Sequence, residues 1–186
     1  MKSADKTGVF KGEVYIDETA VLTGAKGLKR RGKRGFSSDR ITPYLTIMER
    51  GGNVKSFQIA DREANSLLPI IVDNVAPGSI IHTDGWKGYS NLSELGYKHI
   101  TVNHNAKQYK DPNTGACTNA AEGYFGHIKP NLISTYRNIS EAYSNLYLGE
   151  HDFRYNFRNE PMHARFQALL DSLPPLFEHV RNKGKK

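Results

Sequence analysis

Cysteine is nearly missing from this chain. A single residue, Cys117, excludes an intramolecular disulfide and any zinc site built from several thiolates, so a bound metal would be held by oxygen or histidine. No uninterrupted apolar run approaches the roughly 20 residues that span a bilayer. The start, "MKSADKTGVF", lacks the apolar centre of a signal peptide, which makes a cytoplasmic protein in a reducing setting, with no membrane contact, the expectation. Tryptophan is also scarce, with one residue, Trp86. What remains is the composition of an ordinary globular protein: 186 residues, 38% hydrophobic and 24% charged. That length suits a single domain, residues 1–186, with one substantial core.

Acidic residues are outnumbered, 19 against 26 basic ones, and the excess is concentrated. The segment 23–40, "TGAKGLKRRGKRGFSSDR", carries Lys26, Lys29, Arg30, Arg31, Lys33, Arg34 and Arg40 against Asp39 alone, with four glycines. A solvated surface loop explains such a run. Its clustering also suits a polyanion, and the six residues Lys26 to Arg34 are candidate phosphate contacts whose affinity falls with salt. The loop is expected to be disordered without its polyanion, and the tail at about 181–186 to be disordered in any case.

Periodicity organises the rest. Residues 13–22, "EVYIDETAVL", read as a strand with Asp17 in its middle. "ITPYLTIMER" and "NVKSFQIAD" read as a hairpin joined through Gly51 and Gly52. Residues 62–75 have helical spacing, with Pro69 as a kink or true start. A short strand, "SIIHTD", precedes "YSNLSELG", read as a short helix ended by Gly96, and then a strand at 97–104. Residues 105–117 read as a polar loop. Helix resumes at Asn119 with Ala121, Phe125, Ile128 and Leu132 on one face, and Pro130 predicts a kink or stop. A helix from about Asn138 places Ile139, Ala142, Tyr143, Leu146, Tyr147, Phe153 and Phe157 on its apolar side, and another covers 162–172. The order predicts an α/β domain: a mixed five-stranded sheet flanked by helices, with a C-terminal helical extension.

Three acids stand out by position. Asp17 is costly inside a strand without a partner. Asp84 closes the strand of "IIHTDGWKGY", where Gly85 would let the chain turn sharply. Glu122 opens the helix after the last strand. If the first and fourth strands are neighbours, these carboxylates converge, and repulsion among them is relieved by divalent cations, for which oxygen donors suit Mg²⁺ or Mn²⁺. Two such ions would activate a nucleophile and stabilise the leaving oxygen of a phosphoryl displacement.

"VYIDET", "IIHTDGWKGY", "TNAAEGYFGHIK" and "HDFRYNFR", in this order, resemble the catalytic domain of bacterial insertion-sequence transposases of the DDE superfamily, in the family whose full-length members carry an N-terminal zinc ribbon. The resemblance covers about residues 12–160. It implies a ribonuclease H-like fold, two Mg²⁺ or Mn²⁺ ions, and cleavage and strand transfer of double-stranded DNA by a homo-oligomer gathered on element ends and target. It makes Asp17, Asp84 and Glu122 the catalytic, metal-binding acids. Lys129, seven positions and two helical turns after Glu122, becomes a phosphate contact.

Each residue keeps an alternative. Asn119 and Glu122 have capping-box spacing, and Asn119 is a second candidate for the third acid's place. His82 is a phosphate or proton-handling group, or a packed strand residue. Trp86 and Tyr89 stack on a base or fill the core. Arg154 and Arg158 meet DNA or pair with acids such as Asp152. Only 16 residues precede Asp17, too few for a zinc ribbon, so the chain is expected to be truncated, naturally shortened, or dependent on a separate DNA-binding partner. Two other functions remain open: a nuclease without strand transfer, and a non-catalytic DNA-binding remnant.

Overall fold

A computed structural model describes residues 8–23, 41–101, 119–136 and 139–172, and the side chains of 119–122 and 133 lie outside that description. The basic segment beyond Thr23, the polar loop at 105–117 and the tail therefore fall outside the described residues, as do the expectations placed on them.

Five strands form one sheet in the order β3-β2-β1-β4-β5. They are β1 (Glu13–Leu22), β2 (Ile41–Glu49), β3 (Val54–Gln58), β4 (Ile80–Thr83) and β5 (Lys98–Thr101). The first three are antiparallel neighbours, whereas β4 runs parallel to β1 and β5 parallel to β4. This is the mixed five-stranded sheet with flanking helices that the sequence order predicts. Helix α1 (Ala64–Asn74) makes the crossover between β3 and β4. Helices α2 (Asn119–Tyr136), α3 (Glu141–Asn156) and α4 (Met162–Ser172) follow the last strand.

Strand alternation divides the core into two layers. Val14, Ile16, Leu45 and Ile47 point to one face, where they meet Leu67 and Ile71 of α1. Tyr15, Val21, Tyr44 and Met48 point to the other, against Tyr124, Phe125, Ile128 and Leu132 of α2 and Leu148 of α3. Both internal prolines are carried within continuous helices. Pro69 lies between buried Leu67 and Ile71, and Pro130 between buried Ile128 and Leu132. Each of these side chains contributes about 1.5–3 kcal/mol by burial, enough to offset the roughly 3 kcal/mol cost of an internal proline.

Two expected elements differ. "YSNLSELG" contains no α-helix: a single 3-10 turn, Lys87–Tyr89, leads into turns that end at Gly96, where φ is 89°. Fully buried Tyr89 and Leu92 bind this segment to the α1 layer, so packing replaces helical hydrogen bonds.

On α3 the expected apolar side is largely solvent-facing, with Tyr143 62% and Leu146 53% exposed. The buried side presents Ser144, Leu148 and Asp152. Its polar character follows from what it covers, the free edge of β3. Asn156 Oδ1 accepts from Val54 N at 2.7 Å while its Nδ2 donates to Val54 O at 2.8 Å. Asp152 accepts from the Ser56 N–H at 2.7 Å and from the Tyr124 hydroxyl. An edge strand left open would template pairing with another chain, and here a helix satisfies it with side chains. Arg158 extends the same clamp by donating to the carbonyls of Gly51 and Gly52 in the β2–β3 turn. Arg154 pairs with Glu150 at 2.6 Å rather than with Asp152. Among the described residues, no helix is long and apolar enough to cross a membrane.

Candidate metal centre

Strand register explains why two distant acids meet. Glu13, Val14 and Tyr15 lie opposite Ile80, Ile81 and His82, so the same register carried two residues further sets Asp17 level with Asp84. At that point β4 has ended at Thr83 while β1 continues to Leu22. The carboxylates therefore stand at the carboxyl end of β4, where neither is covered by a continuing strand.

Asp17, Glu18 and Asp84 each offer an oxygen, and these atoms all lie within 4.8 Å of one another. Glu18 is the member that sequence reasoning missed. Alternation puts it on the α1 face with Val14 and Ile16, and an acid in that apolar series was the available signal. Its side chain is 1% exposed, and its Oε2 accepts from Arg62 Nη2 at 2.9 Å. Glu18 Oε1 has no hydrogen-bond partner among the described residues. Arg62 Nη2 also lies 3.6 Å from Asp84 Oδ2. Nothing in the "DRE" run before α1 distinguishes Arg62 on paper, because its partners arrive from distant strands.

Backbone contacts hold the carboxylates in place. Asp17 Oδ1 accepts from Glu18 N at 2.8 Å, and Asp84 Oδ1 from Trp86 N at 3.0 Å. Trp86 Nε1 in turn donates to the Arg62 carbonyl at 2.7 Å, and the Arg62 guanidinium lies 4.5 Å from the Trp86 ring centre. Beneath them Tyr89 is completely buried, and burial together with Glu18, Asp17 and Asp84 raises its phenol well above the ordinary pKa. Tyr89 is thus core, and Trp86 is partly buried against it. The all-oxygen donor set, with a buried oxygen left unpartnered, fits a hard divalent cation such as Mg²⁺ or Mn²⁺.

The glycine this turn requires is not Gly85. Gly85 lies outside the positive-φ glycines, and a Cβ there would only touch Thr101 at 3.8 Å. At Gly88 a Cβ would fall 2.8 Å from the Arg62 carbonyl oxygen and 3.0 Å from side-chain atoms of Leu67 and Trp86. Gly88→Ala is expected to cost about 1–3 kcal/mol by overpacking, measurable as a lower urea midpoint, whereas Gly85→Ala stays within about 1 kcal/mol.

His82, 2% exposed, stacks on Tyr15 with ring centres 5.0 Å apart, and its Nε2 is 3.9 Å from Glu13 Oε2, which places it in the packed sheet. Asn119 and Glu122 occupy the first turn of α2, with side chains outside the described residues. Lys129 is exposed on α2, its ammonium 5.7 Å from the Phe125 ring centre. Lys26, Lys29, Arg30, Arg31, Lys33 and Arg34 lie outside the described residues.

Similarity to known proteins places the chain in a family. A family model described as the ISXO2-like transposase domain matches residues 9–156. An uncharacterized transposase-like protein of Haemophilus influenzae is 30% identical over 94 residues, covering 50% of this chain and 73% of that protein. The crystal structure of the catalytic core domain of BIV integrase superposes with a TM-score of 0.46 at 14% identity, covering 90% of this chain and 97% of that one.

Proposed function

The chain belongs to the ISXO2-like transposase domain family, and on that premise we propose that it is a metal-dependent polynucleotidyl transferase that cleaves the ends of an insertion sequence and joins them to target DNA. The observation that carries this reading is the meeting of Asp17 and Asp84, 67 positions apart in the chain, at the open end of β4.

Asp17 and Asp84 would hold the metal, with Glu122 brought by α2 as the third acid. When bound, a pair of divalent ions supplies activation of the attacking oxygen and stabilisation of the leaving one. The protein's own groups do the rest. The Asp84 carboxylate accepts from the Trp86 N–H and the Asp17 carboxylate from the Glu18 N–H, each through Oδ1, and these backbone contacts set the orientation of both groups. Lys129 and the basic segment contact phosphates and set the DNA's position but not its sequence. Water attacks a phosphodiester and releases a 3′ hydroxyl. That hydroxyl then displaces a 3′ oxygen in target DNA, so one phosphodiester forms as another breaks. Coupled processing of two ends calls for more than one copy of the chain on the DNA.

The test is a strand-transfer assay with pre-nicked element ends, target DNA and Mg²⁺. Joined product is the expected result. Hydrolysis alone identifies a nuclease, and no turnover with unaltered DNA binding identifies a binding remnant. For the basic segment, Lys29→Ala, Arg30→Ala and Arg31→Ala together are expected to lower affinity for any duplex. They would also reduce the slope of log affinity against log salt by about 3, from roughly 0.9 per lost phosphate contact.

A further inference from the structure

The acid cluster already contains a cation of the protein's own. Arg62 Nη2 is 2.9 Å from Glu18 Oε2 and 3.6 Å from Asp84 Oδ2. Glu18 is buried, and an unpaired carboxylate in that position would be strongly unfavourable. A guanidinium remains charged at any physiological pH, so it cannot yield its place by losing a proton. A divalent ion entering among the same three acids therefore meets a fixed like charge. Two further features give Arg62 somewhere to go. It precedes α1 rather than lying within it, and its guanidinium already rests against the face of Trp86 at 4.5 Å, a favourable cation–π surface. Glu18 Oε1, without a hydrogen-bond partner among the described residues, is the oxygen left over for an incoming ion.

We infer that Arg62 is the counter-cation of the acid cluster in the metal-free protein, and that metal binding draws Asp84 and Glu18 away from it, so that Arg62 sets the site's affinity for its ion. The inference rests on the reading of Asp17 and Asp84 as metal ligands. Arg62 stabilises the acids when no ion is bound and weakens ion binding by competing for two of them. It is a positioning residue, with no role assigned to it in the reacting atoms.

Because Trp86 is the only tryptophan and carries the Arg62 stack, its emission reports on this one place. The experiment titrates the full chain with Mg²⁺ at constant ionic strength, without DNA, following Trp86 emission and the heat of binding in parallel. The wild type should show saturable binding with an emission change of the same midpoint. Arg62→Gln should bind Mg²⁺ at least about tenfold more tightly, from loss of a like charge a few ångströms away, and lose most of the emission change. Arg62→Lys, which keeps the charge, should stay within about threefold of wild type. Heat of binding with unchanged emission in the wild type would overturn the inference, as would equal or weaker binding by Arg62→Gln. Should that variant fail to fold, the wild-type titration still decides the matter. Absence of any saturable binding would instead bring down the metal-site reading itself, and this inference with it.

Discussion

Asp84→Asn is expected to lower end cleavage and strand transfer by about 10³-fold while leaving the urea midpoint nearly unchanged. The size follows from the several kcal/mol of transition-state stabilisation that bound metal supplies, with about 1.4 kcal/mol for each tenfold in rate. Selectivity follows from geometry. Asparagine keeps Oδ1, which accepts from Trp86 N, and so preserves the turn after β4. What it removes is the charge of the other oxygen, which faces Arg62 at 3.6 Å and belongs to the acid cluster. Asp17→Asn should behave alike, since the Glu18 N–H contact is likewise retained. Parallel loss of activity and thermal stability in both variants would mean that these carboxylates serve structure instead.

The largest effect on stability is expected at Asp152, far from that chemistry. Asp152→Ala strands the Tyr124 hydroxyl and the Ser56 N–H, both of which donate to it. At about 1–3 kcal/mol for each buried unsatisfied group, the loss should reach about 3 kcal/mol or more in urea denaturation. Asp152→Asn retains an acceptor and should cost much less.

The pair also differs in pH dependence. Burial raises the Asp152 carboxyl above its ordinary value of 3.8, against the lowering effect of Tyr124 and Ser56. A raised acid binds its proton more tightly in the folded state, so the stability it contributes is fully present below about 3.8 and is lost as pH rises through the folded-state value. Wild type minus Asp152→Asn should therefore become less favourable with rising pH from about 4 upward. A flat difference would show that Asp152 titrates as it does in the unfolded chain.

Why Asp152 matters so much was invisible in the sequence, where "HDFRYNFR" looks like a basic surface. A helix's buried face is read from apolar spacing, and α3 buries polar groups because it pairs with a strand's free edge. The same limit hid Glu18 and Arg62, whose significance arises from contacts 44 residues apart. Local rules did serve where local physics governs: β-branched and aromatic runs became strands, and Gly51 and Gly52 joined a hairpin. A carboxylate with no structural reason to sit in β1 led to the meeting of Asp17 and Asp84 once β1 and β4 proved to be neighbours. The turn glycine was misplaced, at Gly85 instead of Gly88, because the need for glycine comes from the Arg62 carbonyl packed against it and not from the backbone angle.

The central claim is that Asp17 and Asp84 hold a divalent ion at the carboxyl end of β4. Anomalous diffraction from crystals of the chain soaked in Mn²⁺ tests it most directly. A manganese peak between the Asp17 and Asp84 carboxylates is expected, absent in Asp84→Asn. Saturating Mn²⁺ with no peak between these residues, or a peak only at unrelated surface acids, would contradict it.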